Sequence, residues 1–438
     1  MAGQRIEPFR ALQYDPERAG PLSDLVAPPY DLIDQRLQEK LYWRSPYNVV
    51  RLELGRERDR YRAAAETLWQ WLGAGILRRR RRPAVYLYSQ QFEAEGRKLV
   101  RNGWMVRIRV EEFGPTTKIL PHERTFAAPK EDRLKLLEAT RANLSPIFGI
   151  YFNGPADTLE ELARQIHGAP ADLDLVDDLS IRNELRAVRD PEQIGLVQRA
   201  LADALVLIAD GHHRYETALN YRRRHHPGGA LGAHACDYTL ITLTSADDRG
   251  LVILPTHRLV ARLDAAKRAS FAAQANRFFT VEKLEQVETL WPALRERGRG
   301  SLAVALGPGA PLCYLLRPKG RLAAEGDAPG ERVLAELDVS VLHRIVLGQL
   351  LGLSVEDLRA GNVRYLTDAG QALKAVSDGE ADGAFLLNPP SIADVAAVSR
   401  AGGVMPEKST YFYPKLLTGL VINPLDDDRP AAPPDCAA

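Results

Sequence analysis

The segment ALVLIADGHHRYETAL, residues 204–219, constrains the fold more than any other part of the sequence. It opens with six apolar residues, a run whose length suits a buried β-strand. Asp210 and Gly211 follow directly, and helical spacing begins near His212 or His213. Glycine lets the chain turn sharply and lets a ligand approach the backbone. The segment therefore predicts a buried strand, a tight turn and a helix, with polar side chains gathered at the turn.

The predicted turn carries residue types that bind anions. A helix start offers unpaired N–H groups and the positive end of the helix dipole, and Arg214 adds a planar guanidinium. Gly211, His212, His213 and Arg214 therefore form a candidate phosphate site, and Asp210 is a candidate ligand for a metal ion or a substrate hydroxyl. Because adjacent histidine side chains diverge, phosphate contact or acid–base chemistry by His212 is favoured over a two-histidine metal site. The alternative is a helix cap without a ligand.

The rest of the chain alternates helical and strand patterns, which predicts an α/β to α+β fold with mixed sheets. Strands are predicted over 84–92, 98–110, 146–152, 204–209, 237–244, 250–255, 362–366 and 383–388. Helices are predicted over 59–73, 131–142, 191–203, 214–226, 337–352, 368–377 and 391–401. In the first helix the predicted apolar face consists of Tyr61, Ala64, Ala65, Leu68, Trp69 and Leu72.

A length of 438 residues suggests about three domains. The patterns predict an N-terminal α/β part over 1–115, a core with the turn over 116–260, and a C-terminal α/β part over 261–424. The last residues, 425–438, are rich in Asp, Pro and Ala, which is typical of a disordered tail.

Charge and cysteine content exclude some classes of function. Lys plus Arg number 58 against 57 for Asp plus Glu, and this balance disfavours nucleic acid as a partner. Cys236, Cys313 and Cys436 are far apart and odd in number, which argues against a disulfide framework or a cysteine-based zinc site. Without an apolar leader or a run of about 18 apolar residues, we expect a cytoplasmic protein with no membrane partner. Nothing in the pattern indicates an oligomeric state.

The motif ADGHHRYETAL resembles the signature of a bacterial and archaeal family known as domain of unknown function 1015. The resemblance extends to ILPHERTFAAPKEDRLKLLEATRANLSPIFGIY at 119–151 and to MPEKSTYFYPKLLTGLV at 405–421. These motifs are long and therefore specific, but the family name implies no activity.

The strand–DGHHR–helix turn is also similar to the nucleotide-binding turn of the ParB/sulfiredoxin superfamily. That superfamily includes chromosome-partition proteins, sulfiredoxin and small free-serine kinases. In those kinases a PHE tripeptide precedes the turn and its glutamate acts as the base. The resemblance implies a ParB/sulfiredoxin-like core in which Pro121-His122-Glu123 supplies Glu123 as base towards an acceptor hydroxyl.

The same resemblance implies ATP or ADP with Mg²⁺ as cofactor. Asp210 would lie by the metal or the acceptor, and His212, His213 and Arg214 would contact the phosphates. The chain departs from the compact kinases because Glu123 and Asp210 are 87 residues apart, which indicates an insertion between them. The alternative for Glu123 is a surface salt bridge with Arg124 or Lys118.

Two further segments offer cations and hydroxyls. EKSTYFYPK at 407–415 holds Lys408, Ser409, Thr410 and Lys415, which suit the binding of an anion. The alternative is a C-terminal loop that packs across the body of the protein. If Glu123 lies in the site, Arg124 or Lys130 would help to neutralise phosphate charge.

These observations favour a nucleotide-dependent phosphotransferase acting on a small hydroxyl-bearing metabolite, with free serine as the first acceptor to test. Its partners would be a nucleotide and a small-molecule substrate. One alternative is a ParB-like nucleotide switch or DNA-associated module, although no helix-turn-helix pattern has a basic face. Another is a metal-dependent phosphatase or hydrolase built from Asp210, His212, His257 and His122, whose spacing lacks the i, i+4 pattern of helical zinc motifs.

Overall fold

A computed structural model of the chain describes residues 5–114, 117–123, 125, 127–152, 156–228, 232–320, 329–354, 357, 362–406 and 408–426. The backbone contacts divide the chain into two compact units. Unit 1 comprises Met1–Pro121, Thr125–Val252 and Pro414–Ala438, and unit 2 comprises His122–Arg124 and Ile253–Tyr413.

The strands, in chain order, are β1 (Ile6–Glu7), β2 (Leu12–Tyr14), β3 (Leu77–Arg79), β4 (Val85–Ala94), β5 (Arg97–Arg109), β6 (Ile119–Leu120), β7 (Ala142–Asn143), β8 (Ile147–Phe152), β9 (Leu173–Val176), β10 (Arg182–Val188), β11 (Leu205–Asp210), β12 (Tyr238–Ser245), β13 (Val252–Leu254), β14 (His257–Val260), β15 (Phe279–Leu284), β16 (Leu302–Leu306), β17 (Leu312–Pro318), β18 (Val363–Leu366), β19 (Gly383–Leu387), β20 (Tyr411–Tyr413) and β21 (Asn423–Pro424).

The α-helices are α1 (Pro16–Ala19), α2 (Leu22–Leu25), α3 (Gln35–Arg44), α4 (Val50–Glu53), α5 (Arg60–Gly73), α6 (Ala127–Thr140), α7 (Ala156–His167), α8 (Pro191–Leu201), α9 (His212–His225), α10 (Ala265–Ala275), α11 (Leu290–Arg297), α12 (Pro329–Ala335), α13 (Asp338–Val341), α14 (Ala369–Ser377) and α15 (Ile392–Arg400). Short 3₁₀ turns cover Tyr30–Leu32, Ala235–Asp237 and Val287–Thr289, and a π-helical stretch covers Leu342–Leu350.

Unit 1 is built on a mixed nine-stranded sheet. The strand order is β6-β11-β8-β12-β5-β4-β10-β9, with β1 beside β5. β11 is parallel to β6 and antiparallel to β8, and β12 is parallel to β8. The main apolar core joins the sheet to α7, α8 and α9 through residues such as Leu162, Val197, Val206, Tyr215 and Ile241. β11 is therefore largely buried, as its apolar run predicted, and only its end at Asp210 is polar.

A second apolar core of unit 1 gathers the N-terminal helices. It contains Leu41, Leu68 and Trp71 together with Leu136 of α6. Helix α3 begins where the carboxylate of Asp34 accepts the backbone N–H of Leu37 at 2.7 Å, an N-cap that stabilises the helix start.

Unit 2 contains a six-stranded sheet in the order β15-β17-β16-β19-β14-β18, and its strand pairs among the described residues are antiparallel. Apolar residues cover both faces of this sheet. One core includes Phe271 of α10 and Leu342 of the π-helical stretch, and the other includes Leu294 of α11 and Val376 of α14.

The predicted fold class is confirmed, since helices and strands alternate and the sheet of unit 1 is mixed. The division into three parts at 1–115, 116–260 and 261–424 stays a prediction, because compact units defined by backbone contacts do not show which parts fold independently. The ParB/sulfiredoxin-like core also stays a prediction. Most of the predicted disordered tail, 427–438, lies outside the described residues. Within the part of the chain that the structure describes, no helix has both the length and the apolar character needed to cross a bilayer.

The predicted apolar face of α5 is wrong in one respect. The buried residues of this helix are Ala64, Leu68 and Trp71, whereas Trp69 is 46% exposed. Trp71 lies against two aromatic rings, with ring centroids 5.9 Å from Tyr14 and 6.0 Å from Tyr47. The buried stripe is therefore rotated around the helix relative to the prediction, because aromatic partners outside the helix decide which tryptophan is buried.

We expect Trp71→Ala to lower the free energy of unfolding by about 3–5 kcal/mol, because it removes a buried ring and leaves a cavity. Trp69→Ala, on the same helix, is the matched control and should cost less than about 1 kcal/mol. Urea unfolding followed by circular dichroism measures both. Equal losses for the two variants would contradict the observed packing.

Candidate functional site

The predicted strand, turn and helix are present where the sequence placed them. β11 ends at Asp210, and α9 begins at His212, in agreement with the helical spacing predicted to begin near His212 or His213. Gly211 forms the N-cap in the left-handed region, with φ of 90° and ψ of 31°. A Cβ atom at this position would lie 3.0 Å from the guanidinium of Arg214. Both the backbone conformation and the close contact therefore require glycine here.

Two cations hold the carboxylate of Asp210. Lys415 Nζ lies 2.7 Å from Oδ1, and the Arg214 guanidinium lies 2.8 Å from Oδ2. Burial alone would raise the pKa of Asp210, but Lys415 and Arg214 outweigh burial and hold its pKa well below the usual range. The carboxylate is therefore ionised at neutral pH, and two positive charges meet one negative charge.

Arg214 is fixed by more than its ion pair. Another nitrogen of its guanidinium donates to the carbonyl of Pro146. Its Nε is buried, and among the described residues it has no hydrogen-bond partner. A buried N–H without an acceptor is costly, so this donor would be stabilised by an oxygen that the described residues do not supply.

The backbone around Lys415 is anchored by the sheet. Arg101 of β5 donates to the carbonyl of Pro414, and Gln90 of β4 donates to the carbonyl of Lys415 at 3.1 Å. The Arg101 guanidinium lies 4.6 Å from the ring centroid of Phe148, and burial lowers its pKa to about 10. These contacts fix the position from which Lys415 reaches Asp210.

The first turn of α9 is anchored as well. The hydroxyl of Tyr215 donates to the carbonyl of Glu111 at 2.9 Å and accepts the N–H of the same residue at 2.8 Å. The carboxylate of Glu216 accepts from Thr125 Oγ1 at 2.6 Å and from Lys130 Nζ at 2.7 Å. The first helical turn is thus held on two sides. Lys130, which was predicted to neutralise phosphate charge, lies beside this turn.

The two histidines of the turn differ in exposure. His212 is buried at 6% exposure, and its predicted catalytic and phosphate-binding roles stay predictions. Burial lowers the pKa of His213, while the carboxylates of Glu216 and Asp31 oppose this effect. Burial therefore favours the neutral form of His213.

Several residues of this site were not predicted from the sequence. The charge of Asp31 acts on the pKa of His213, and the charge of Arg214 acts on that of Tyr30, whose pKa burial raises to about 12. Neither these residues nor Arg101 carry a local signal of function, and Lys415 was named only as part of an anion-binding loop. Their partners come from distant parts of the chain, so only the tertiary fold identifies them.

The other predicted site residues belong to unit 2, where two of the predicted motifs meet. Glu123 pairs with Met405 in a β-bridge. The ring of His122 is fully buried, and its Nε2 lies 2.9 Å from Thr410 Oγ1. His122 and Glu123 therefore contact Thr410 and Met405, although 288 positions separate His122 from Thr410. The role of Glu123 as base, and its predicted place near Asp210, stay predictions.

Lys408 and Ser409 are in different environments. Lys408 has a φ of 56°, an exposed side chain, and a carbonyl that accepts from Arg258 at 3.2 Å. Ser409 is fully buried, and its hydroxyl donates to the carbonyl of Pro406. A phosphate role for Ser409 or Thr410 stays a prediction that requires these hydroxyls to exchange their present partners.

His257, part of the alternative metal-hydrolase set, is a core residue of unit 2. It is fully buried in β14, and the N–H of Leu387 donates to its Nδ1 at 3.4 Å. Burial lowers its pKa to about 4, so it is neutral at pH 7. Asp210 and His212 belong to unit 1, and His257 and His122 belong to unit 2.

Comparison with known proteins identifies the family. The model of the family described as protein of unknown function DUF1015 matches residues 6–340. The chain belongs to this family. This confirms the resemblance carried by ADGHHRYETAL, and the DUF1015 description states no activity. No curated protein matches the chain.

Several solved structures are similar at low identity. Free serine kinase in complex with AMP is 15% identical over 67% of this chain and 83% of its own, with a TM-score of 0.33. A conserved hypothetical protein from Pyrococcus furiosus is 16% identical over 70% and 93%, with a TM-score of 0.33. SbnI from Staphylococcus aureus with a C-terminal truncation is 13% identical over 73% and 87%, with a TM-score of 0.36. Family membership rests on the DUF1015 model and on none of these.

We expect Lys415→Met to lower the free energy of unfolding by up to about 3 kcal/mol near neutral pH, because a largely buried carboxylate loses a cation. The folded pKa of Asp210 lies below the unfolded value of about 3.9. The ion pairs therefore stabilise the fold above about pH 4 and lose this effect as the pH falls. The variant should show a shallower loss of stability between about pH 4 and pH 2.

Lys135→Met is the matched control, since Lys135 pairs with Glu131 on an exposed face of α6. It should leave the urea midpoint unchanged. If Lys415→Met kept the wild-type free energy of unfolding and its pH dependence, the ion pair between Lys415 and Asp210 would contribute nothing to stability.

Proposed function

We propose that this DUF1015 protein is a nucleotide-dependent phosphotransferase that transfers a phosphoryl group to the hydroxyl of a small metabolite, with free serine as the first acceptor to test. The nucleotide phosphates bind at the turn formed by Gly211, His212, His213 and Arg214. The proposal rests on the geometry of this turn and on its resemblance to the nucleotide-binding turn of free-serine kinases.

The observation that carries the proposal is the surplus of positive charge around Asp210. Lys415 and Arg214 both contact its carboxylate, at 2.7 and 2.8 Å. The positive end of the α9 dipole lies at the same turn, and its N-cap, Gly211, has no side chain to act as an acceptor. Arg214 Nε also has no acceptor among the described residues. Together these groups favour a ligand with several negative oxygens.

Phosphoryl transfer needs mainly positioning and charge neutralisation. In the proposed step the acceptor oxygen forms a bond to the terminal phosphorus of the nucleotide. The bond from that phosphorus to the bridging oxygen breaks, and the shortened nucleotide leaves with the electron pair. The acceptor proton passes to Glu123, which acts as the base. Arg214 and the N–H groups at the start of α9 neutralise charge on the phosphate oxygens.

Asp210 is the residue that would hold Mg²⁺ according to the resemblance, and its carboxylate is a type of ligand that Mg²⁺ accepts. Its depressed pKa keeps it ionised, and Mg²⁺ prefers one or two carboxylates together with water and phosphate oxygens. Lys415 and Arg214 already neutralise this carboxylate, so Mg²⁺ would bind there only together with the nucleotide phosphates, whose negative charge offsets the positive surplus. When bound, Mg²⁺ would neutralise charge on the nucleotide phosphates.

The direct test measures nucleotide affinity in two arginine variants of α9. Arg214→Ala should weaken ATP or ADP binding by about 10- to 100-fold, because a hydrogen bond to a charged phosphate contributes about 1.5–3 kcal/mol. Arg224→Ala is the matched control, since Arg224 lies at the other end of the helix and pairs with Glu138. Isothermal titration calorimetry with each nucleotide and Mg²⁺ gives both affinities.

Turnover is then assayed with ATP or ADP and a panel of hydroxy amino acids. Phosphorylated product with at least one acceptor would support the reaction. Nucleotide binding without product for any acceptor would favour a nucleotide switch instead. Absence of nucleotide binding in the wild type would overturn the proposal.

The assignment of Glu123 as base gives a separate prediction. Glu123→Gln should lower kcat by about 10²–10⁴-fold while nucleotide affinity stays at the wild-type value, because the amide cannot accept the acceptor proton. Glu131→Gln is the matched control on the exposed face of α6. A kcat within twofold of wild type in Glu123→Gln would remove this residue from the catalytic machinery.

A further inference from the structure

Three metal-ligating side chains of unit 1 meet at the end of α9 opposite the DGHHR turn. They are His226, the C-cap of this helix, and Cys236 and Asp237 of the 3₁₀ turn before β12. One ligand atom from each, a histidine nitrogen, the Cys236 sulfur and a carboxylate oxygen, lies within 4.8 Å of the other two. Helix α9 has 14 residues, so the cluster is about 20 Å from the turn.

We propose that His226, Cys236 and Asp237 bind a divalent transition-metal ion, with Zn²⁺ as the expected metal. A donor set of one nitrogen, one sulfur and one oxygen suits zinc, and it does not suit the hard cations Mg²⁺ and Ca²⁺. His226 Nδ1 and Asp237 Oδ1 are 3.0 Å apart. Two ligands of a tetrahedral ion with bonds of about 2.0–2.3 Å are slightly farther apart than this, so the two atoms would have to separate only a little. The metal ion would replace the proton that the two atoms now share in their hydrogen bond.

Asp237 is prepared as a ligand by the surrounding chain. It is fully buried, and its Oδ2 accepts the backbone N–H groups of Gly232, Ala233 and His234, each at 3.0 Å. Arg222 Nε donates to Oδ1 at 3.0 Å. Contacts of this kind orient a metal-binding carboxylate and keep it ionised. The carboxylate therefore needs neither rotation nor loss of a proton to bind a cation.

The local charge permits a cation despite the arginines at this helix end. Arg222 pairs with Asp237, Arg223 with Glu112, and Arg224 with Glu138. The C-terminal end of a helix is the negative end of its dipole, which favours a bound cation. The fourth coordination position is left to water or to His234, whose ring centroid lies 4.2 Å from that of His226.

A metal at this position would have a structural role. It would tie the end of α9 to the start of β12, a central strand of the sheet, and it would close the connection between them. The sequence pattern disfavoured a cysteine-based zinc site, and the proposed site departs from that prediction with one cysteine and two other ligands. The site is independent of the proposed phosphoryl transfer, since it lies at the other end of α9.

The test uses the full chain, stripped of metal with a chelator and titrated with Zn²⁺ or Co²⁺. We expect about one ion per chain and, with Co²⁺, the near-ultraviolet charge-transfer band of a thiolate–cobalt bond. Cys236→Ser should abolish this band and weaken Zn²⁺ binding by more than about tenfold. Cys313→Ser is the matched control, because Cys313 is a buried cysteine of unit 2.

A second measurement uses the wild-type chain, so its result does not depend on whether a variant folds. Zn²⁺ should protect Cys236 of the wild-type chain from alkylation, as located by peptide mass mapping, and leave the labelling of Cys313 unchanged. Absence of stoichiometric Zn²⁺ and Co²⁺ binding would overturn the proposal. So would a cobalt thiolate band that persists in Cys236→Ser, or equal labelling of Cys236 with and without Zn²⁺.

Discussion

The candidate site depends on the two ion pairs that the carboxylate of Asp210 forms with Lys415 and Arg214. This carboxylate joins three pieces of chain, the end of β11, the first turn of α9 and the C-terminal segment at Lys415, which is 205 residues away in sequence. A largely buried charge is costly unless paired and hydrogen-bonded, so the fold must bring both cations to it. The pairing thereby fixes the turn in one conformation, and Gly211 is the residue that permits this conformation.

The segment from Lys408 to Lys415 is held through backbone carbonyls as well as through side chains. In unit 2, buried Arg258 donates to the carbonyl of Lys408, and in unit 1, buried Arg101 donates to the carbonyl of Pro414. Each arginine loses much of its hydration, and burial lowers the pKa of both to about 10. Such an arrangement positions the two lysines while leaving their ammonium groups to act on other partners, Asp210 in the case of Lys415.

Local sequence patterns predicted what depends on local physics. The apolar run before Asp210 and the sharp turn at Gly211 follow from a few neighbouring residues, and both are present. The failures share one cause. Which tryptophan of α5 is buried is decided by Tyr14 and Tyr47, and what Arg101 or Lys415 does is decided by residues far along the chain. No periodicity in a single sequence contains that information.

An aspartate lies beside each end of helix α9, Asp210 largely buried and Asp237 fully buried, and opposite ligands are proposed for the two. At the N-terminal end Asp210 meets two cations and the positive end of the dipole, so the surplus is positive and an anion is favoured. At the C-terminal end Asp237 meets one arginine and a histidine, beside carbonyl groups at the negative end of the dipole. Among the described residues a second permanent cation does not pair with Asp237, and the side chains of Cys236 and His226 lie beside it. This set of groups favours a metal ion. A net charge of +1 is therefore compatible with both the proposed phosphate site and the proposed metal site, because the charge that favours each ligand is local.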